Sequence, residues 1–170
     1  MRVEVIESKI NKKDAKKQIL SKMPLMSRVS QFNSIATDFH LEYIELKVLS
    51  YEVITKKKGN KIFRQNTKIE KITMLINTYN GYSQSIEDIP KTVIKYISKS
   101  CIKKSKIKEE DMIEGVKSQI IYFLKDKMEE DSLDKINLQN INVIEIRSIY
   151  KPYWIANFKG KNILIDANTK

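Results

Sequence analysis

Glycine and proline are scarce in these 170 residues, at 4 and 3, which argues against a loop-dominated fold. One cysteine, Cys101, excludes an internal disulfide, and with a single histidine there is no Cys/His cluster to hold a structural metal. No cofactor is expected. Arginine is confined to Arg2, Arg28, Arg64 and Arg147, so the net charge of +11 is nearly all lysine. Lysine is a generic point charge, whereas bidentate recognition of phosphate and guanine falls to arginine. No stretch of about 18 apolar residues occurs, so no membrane span is expected. Glu4, Glu7 and Lys9 interrupt any signal-peptide core at the N-terminus. With Met1 as the native start the expected location is cytoplasmic; if an export or anchor segment has been removed, it is extracytoplasmic.

What is present suits a folded chain. A hydrophobic fraction of 41% and a charged fraction of 31% are globular values, and a chain of this size buries a real core. Three internal parallels occur in the same order. Ser8-Lys9-Ile10-Asn11-Lys12-Lys13-Asp14-Ala15 matches Ser105-Lys106-Ile107-Lys108-Glu109-Glu110-Asp111-Met112. Ile44-Glu45-Leu46-Lys47 matches Ile144-Glu145-Ile146-Arg147, and Leu75-Ile76-Asn77-Thr78 matches Leu164-Ile165-Asp166-Ala167.

The periodicities supply elements. Glu109, Glu110 and Asp111 put negative charge in a first helical turn, with Lys125 and Lys127 towards the other end. Met112, Val116, Ile120 and Phe123 form one apolar stripe. Asn11 is a helix cap before Ala15, Ile19 and Met23; Pro24 then kinks or ends that helix, with a second piece at Met26, Val29 and Phe32. Ile44, Leu46 and Val48 alternate with Glu45 and Lys47, and near Leu49 the apolar phase flips to Leu49, Tyr51 and Val53. Ile149 breaks the phase of Ile144 and Ile146 in the same way, which predicts a turn or bulge in both copies. Hairpin turns are predicted at 56–60 and 159–162, before last strands at 72–77 and 163–166.

These patterns predict an α+β fold: two diverged repeats of a helix packed on an antiparallel three- to four-stranded sheet. The first repeat spans 1–87 and the second 105–170. Residues 88–104 form a connector, read as a short helix with Val93, Ile97 and Cys101 on one face.

The acidic helix start after Ile107, the strand Tyr153-Trp154-Ile155-Ala156-Asn157-Phe158 and the ending Leu164-Ile165-Asp166-Ala167-Asn168-Thr169 resemble PepSY domains. The resemblance covers about 105–170, and 8–83 more loosely. Lys170 stands where the family closes on Gly, and Asn77 replaces the Asp. It implies a non-catalytic module associated with regulating proteases or with envelope proteins.

Reaction chemistry finds little support. His40 stands alone before a strand, the carboxylate groups suit helix ends, and no Gly-rich phosphate loop occurs. No enzyme is expected. Tyr150, Tyr153 and Trp154 are the candidate partner-binding residues, because amphipathic aromatics favour interfaces. The competing reading makes Trp154 a core anchor. The expected partner is another protein, or a second copy, met through a sheet face or edge. A lysine-rich nucleic-acid or anionic-surface binder is the alternative.

Overall fold

A computed structural model describes residues 1–21, 39–57, 66–127, 140–158 and 161–168. In chain order these form β1 (Arg2–Ile6), α1 (Lys12–Ser21), β2 (His40–Lys57), β3 (Asn66–Asn77) and β4 (Ser83–Ile86). They continue as β5 (Thr92–Tyr96), a 3-10 turn at Lys99–Cys101, β6 (Ile102–Lys103), α2 (Glu109–Lys127), β7 (Ile141–Phe158) and β8 (Lys161–Asp166). The strands follow one hydrogen-bonded order, β4-β3-β2-β7-β1-β5, with β6 beside β2 and β8 beside β7. Most pairings are antiparallel, but β1 meets β7 in parallel at Val5 and Tyr150, and β6 meets β2 in parallel at Tyr43 and Ile102. This mixed eight-stranded sheet overturns the expected pair of repeats, each a helix on its own antiparallel sheet.

Two compact units are each assembled from distant stretches of chain. Unit 1 takes Met1–Glu45, Pro90–Lys104 and Ile149–Lys170, and unit 2 takes Leu46–Ile89 and Ser105–Ser148.

In unit 2, α2 begins on Glu109, Glu110 and Asp111, which complement the helix dipole. It buries Met112, Val116, Ile120 and Leu124 against Leu49, Tyr51 and Val53 of β2, Met74 and Ile76 of β3, and Ile141 of β7. Leu124 completes the stripe in place of Phe123, which is exposed; a spacing of four residues keeps the buried row in line. Tyr51 is fully buried and its hydroxyl donates to the Ile113 carbonyl at 3.2 Å. Burial, and secondarily the nearby Glu114, pushes its phenol well above the usual tyrosine value. Lys47 reaches Glu109 at 2.7 Å, tying strand to helix start.

In unit 1, Asn11 caps α1 as expected: its Oδ1 accepts from the Asp14 amide at 2.9 Å. The helix buries Ala15 and Ile19 among Ile10, Phe39, Ala156 and Ile165, with Trp154 and Ile163 alongside. A second cluster joins Val3 and Val5 of β1 to Tyr43, Ile97 and Tyr150, with Leu41, Cys101 and Ile102 against it.

The helices have therefore exchanged strands. α1, from the N-terminal half, packs on β7 and β8; α2, from the C-terminal half, packs on β2 and β3. An apolar stripe specifies that a helix face is buried but not which strands cover it, so the sequence parallels could not locate the partner.

What the parallels do encode is a clasp that occurs in both units. The Ala167 carbonyl accepts from the Lys9 amide at 2.8 Å, the Ile10 amide at 3.0 Å and the Ser8 hydroxyl at 3.3 Å. The Thr78 carbonyl accepts from the Lys106 amide and the Ser105 hydroxyl, both at 3.1 Å. Beside each carbonyl an Asx turn forms, with Asp166 Oδ1 accepting from the Asn168 amide and Asn77 Oδ1 from the Tyr79 amide, both at 2.9 Å. Gly81 completes the second clasp in the left-handed region, at φ 75°, and a Cβ there would lie 2.8 Å from Ile107 Cδ1.

Further corrections concern the strands. β2 and β7 are unbroken where a turn or bulge was expected. In β2, Leu46 and Val48 are buried on one face and Leu49, Tyr51 and Val53 on the other, so the phase flip records burial of both faces. In β7, Ile144 and Ile146 are exposed while Ile149 is buried. The stretch 88–104, read as a connector helix, instead supplies β5 and β6, separated only by the 3-10 turn. Met23, Pro24, Met26, Val29, Phe32 and the tips of both hairpins lie outside the described residues. The hairpin flanks pair antiparallel, from Lys57 with Asn66 and from Phe158 with Lys161.

Candidate interaction edge

Alternation along β7 sends Tyr150 and Trp154 to one face and Tyr153 to the other. Tyr150 is buried among Val3, Val5, Tyr43 and Ile97. Trp154 is half-buried and stacks on Phe39, with ring centroids 5.1 Å apart and planes 13° from parallel. Its indole Nε1–H donates to the Ile10 carbonyl at 3.1 Å. Trp154 thus pins the entry of α1 to β7, the role of a core anchor.

Tyr153 lies opposite Asp166 of β8, and the Lys151 ammonium sits 5.5 Å from its ring centre. Lys151 forms an ion pair with Asp166 at 2.6 Å. Burial pushes the Lys151 ammonium down, but the hydrogen bond to Asp166 and the neighbouring Tyr153 and Asp166 charges together lift it above its usual value. Burial raises the Tyr153 phenol, with Lys151 opposing and Asp166 adding to the rise. Lys151 is thus held between the Asp166 carboxylate and the Tyr153 ring.

Other chemically suggestive groups are also engaged. His40 Nε2 lies 3.1 Å from Glu42, which also meets Lys103 at 3.3 Å. Cys101 packs half-buried against the cluster containing Tyr43. Unit 2 has an open cleft of about 610 Å³ lined by Ser50, Thr73, Phe123, Glu145, Glu87 and Asp88 among others. Among the described residues, no three His, Cys, Asp or Glu side chains converge as metal ligands. No helix of the described residues is long and apolar enough to cross a membrane.

The surface that stands out was not among the residues expected from sequence. β5 ends the strand order and pairs, among the described residues, only with β1. Met1 and Ile97 exchange both backbone hydrogen bonds, the amine donating at 2.9 Å and the Ile97 amide at 3.0 Å. Bonded pairs recur every second residue in an antiparallel ladder. Val3–Lys95 and Val5–Val93 are therefore the next bonded pairs, and Thr92, Ile94 and Tyr96 turn their N–H and C=O groups away from β1. Ile94 is 58% exposed and Tyr96 82%. Both side chains share the face of Arg2, Glu4 and Thr92, while Val93 and Lys95 take the other. The opposite end of the order differs: β4 has only four residues, Ser-Gln-Ser-Ile, the short and polar form that blunts an edge.

Charge is distributed unevenly. Unit 1 holds 17 basic and 7 acidic residues, net +10, whereas unit 2 holds 15 and 14, net +1. Within unit 1 the stretch Pro90–Lys104 carries Lys91, Lys95, Lys99, Lys103 and Lys104 and no acidic residue.

No family model matches this chain, and no curated protein or solved structure matches it either.

Proposed function

We propose that this chain is a non-catalytic binding module that captures an extended segment of another protein as an added strand on β5. The observation that carries the reading is the edge itself: outward backbone groups at Thr92, Ile94 and Tyr96, flanked by exposed apolar side chains. An uncovered apolar edge strand is a template for β-augmentation, in which main-chain hydrogen bonds supply affinity and alternate side chains supply specificity. The sequence likeness to PepSY motifs suggests a role in regulating a protease or envelope protein, but the fold divides those motifs between the two units, so the edge alone carries the reading. Ile94→Pro tests it, because proline removes an outward N–H without touching the β1–β5 ladder. Affinity capture from native extract should return proteins with the wild-type chain that the variant fails to hold. An identical set from both would refute the reading.

The concentration of charge in unit 1 favours a second reading, binding to a nucleic acid or another polyanion. Binding to duplex DNA would then fall steeply between low and moderate salt, since each phosphate contact releases counterions. No binding at low salt would dismiss it.

A further inference from the structure

Resting on the edge reading above, we infer that the segment captured by β5 is acidic and alternates with apolar residues, and that it comes from a partner chain instead of a second copy of this one. In an added strand, residues directly opposite share a face. The partner's positions opposite Ile94 and Tyr96 meet exposed apolar side chains, and the position between them meets the ammonium of half-exposed Lys95, with Lys91 just beyond the end of β5. The complement is therefore apolar, acidic, apolar along the strand. Pro90–Lys104 contains no acidic side chain; across the ladder Glu7 stands opposite Lys91, whereas Lys95 faces Val3 and has no acid in register.

The same charges oppose self-pairing. Two β5 strands running antiparallel and centred on Ile94 place the two Lys95 side chains diagonally across. Shifting the register by one residue on each strand sets Lys95 opposite Lys95 or opposite Lys91. Like charges in these positions repel, and each copy brings a unit of net charge +10. Lysine on an edge strand guards against its own kind while leaving the backbone open to an anionic segment.

The test uses the full chain and three probes: a short peptide alternating valine with glutamate, its lysine counterpart, and an oligothymidylate. Binding is read by fluorescence polarisation and by amide hydrogen exchange at Thr92, Ile94 and Tyr96. The acidic peptide should bind, slow exchange at those three amides, and weaken as salt is raised. Ile94→Pro should weaken it by about tenfold or more, with its melting curve confirming that the variant folds. Lys95→Glu should turn the preference towards the lysine peptide.

Equal binding of both peptides, each lost in Ile94→Pro, would overturn the acidic preference and leave edge capture standing. Acidic-peptide binding that survives Ile94→Pro, or binding by neither peptide, would overturn edge capture as well. Oligothymidylate alone protecting β5 would replace the protein partner with a nucleic acid. A dimer by light scattering that Ile94→Pro dissolves would show that the occupant is a second copy.

Discussion

Ile19 of α1 should be energetically coupled to Ile165 of β8, 146 positions along the chain, and uncoupled from Ile76 of β3, which the sequence parallels had placed in its own repeat. Ile19 has no exposed surface and packs in one cluster with Ile165, Ala156 and Phe39; Ile76 belongs to the cluster that encloses α2. Truncating a buried isoleucine to alanine costs about 2–5 kcal/mol, and a fully enclosed site falls in the upper half of that range. With a urea dependence of about 2 kcal/mol per molar, a loss of about 3 kcal/mol lowers the midpoint by roughly 1.5 M. Trp154, the only tryptophan, lies against this cluster, so its fluorescence follows the unfolding of unit 1. A double-mutant cycle of Ile19→Ala with Ile165→Ala should give a coupling of about 0.5–3 kcal/mol. The cycle with Ile76→Ala should be additive within about 0.5 kcal/mol. Coupling to Ile76 and additivity with Ile165 would refute the exchange of helices between the two halves.

Gly81→Ala forces a side chain into the left-handed region and towards Ile107 Cδ1; a loss of about 1–3 kcal/mol is expected, and an unchanged melting temperature would contradict the packing of that clasp. The Tyr43, Tyr51 and Tyr153 phenols all have raised values in the fold, burial being the first cause of each. Their contribution is present in full below the ordinary tyrosine value and is lost as pH rises through the folded values, and the raised Lys151 acts in the same direction. Urea midpoints should therefore fall as the solution is taken above about pH 10, less so in Tyr51→Phe; a midpoint flat to strongly alkaline pH would count against this. Asp166→Asn keeps the acceptor for the Asn168 amide and loses only the half-buried ion pair with Lys151, so it should cost under about 1 kcal/mol. Asp166→Ala also strips the turn acceptor and should cost about 1 kcal/mol more; equal losses in a thermal melt would show that the turn bond contributes nothing.

Local chemistry was legible in the sequence wherever a residue acts on its own neighbours. Asn11 caps α1 and three acids open α2; the likeness of the two serine-led segments was visible, but not the carbonyls they grip, 159 and 27 positions away. Longer-range choices were hidden. The run from Ile44 to Val53 shows two apolar phases, and a strand buried on both faces writes the same pattern as two strands joined by a bulge. The spacing Val93, Ile97, Cys101 suits a helix, yet Thr92-Val93-Ile94-Lys95-Tyr96 is also an alternating run rich in β-branched and aromatic residues. The second signal matches the structure. Tyr150 and Trp154 are of the type that serves interfaces, but the same residues serve cores, and only packing separates the two uses.

The segment misread as a helix is also the one that supplies the candidate site, and both facts have one physical source. A helix needs a continuous polar face for solvent, whereas an edge strand can leave apolar side chains exposed when a partner will cover them. Val93, Ile94 and Tyr96 are too exposed to be explained by the core of unit 1, which already closes around Val3, Val5, Tyr43, Ile97 and Tyr150. Exposing them invites aggregation unless something limits what may pair there. Lys91 and Lys95 supply that limit, as Ser83, Gln84 and Ser85 do by polarity on β4. Isoleucine and tyrosine beside lysine on β5 are what the proposed capture of an acidic, apolar segment requires.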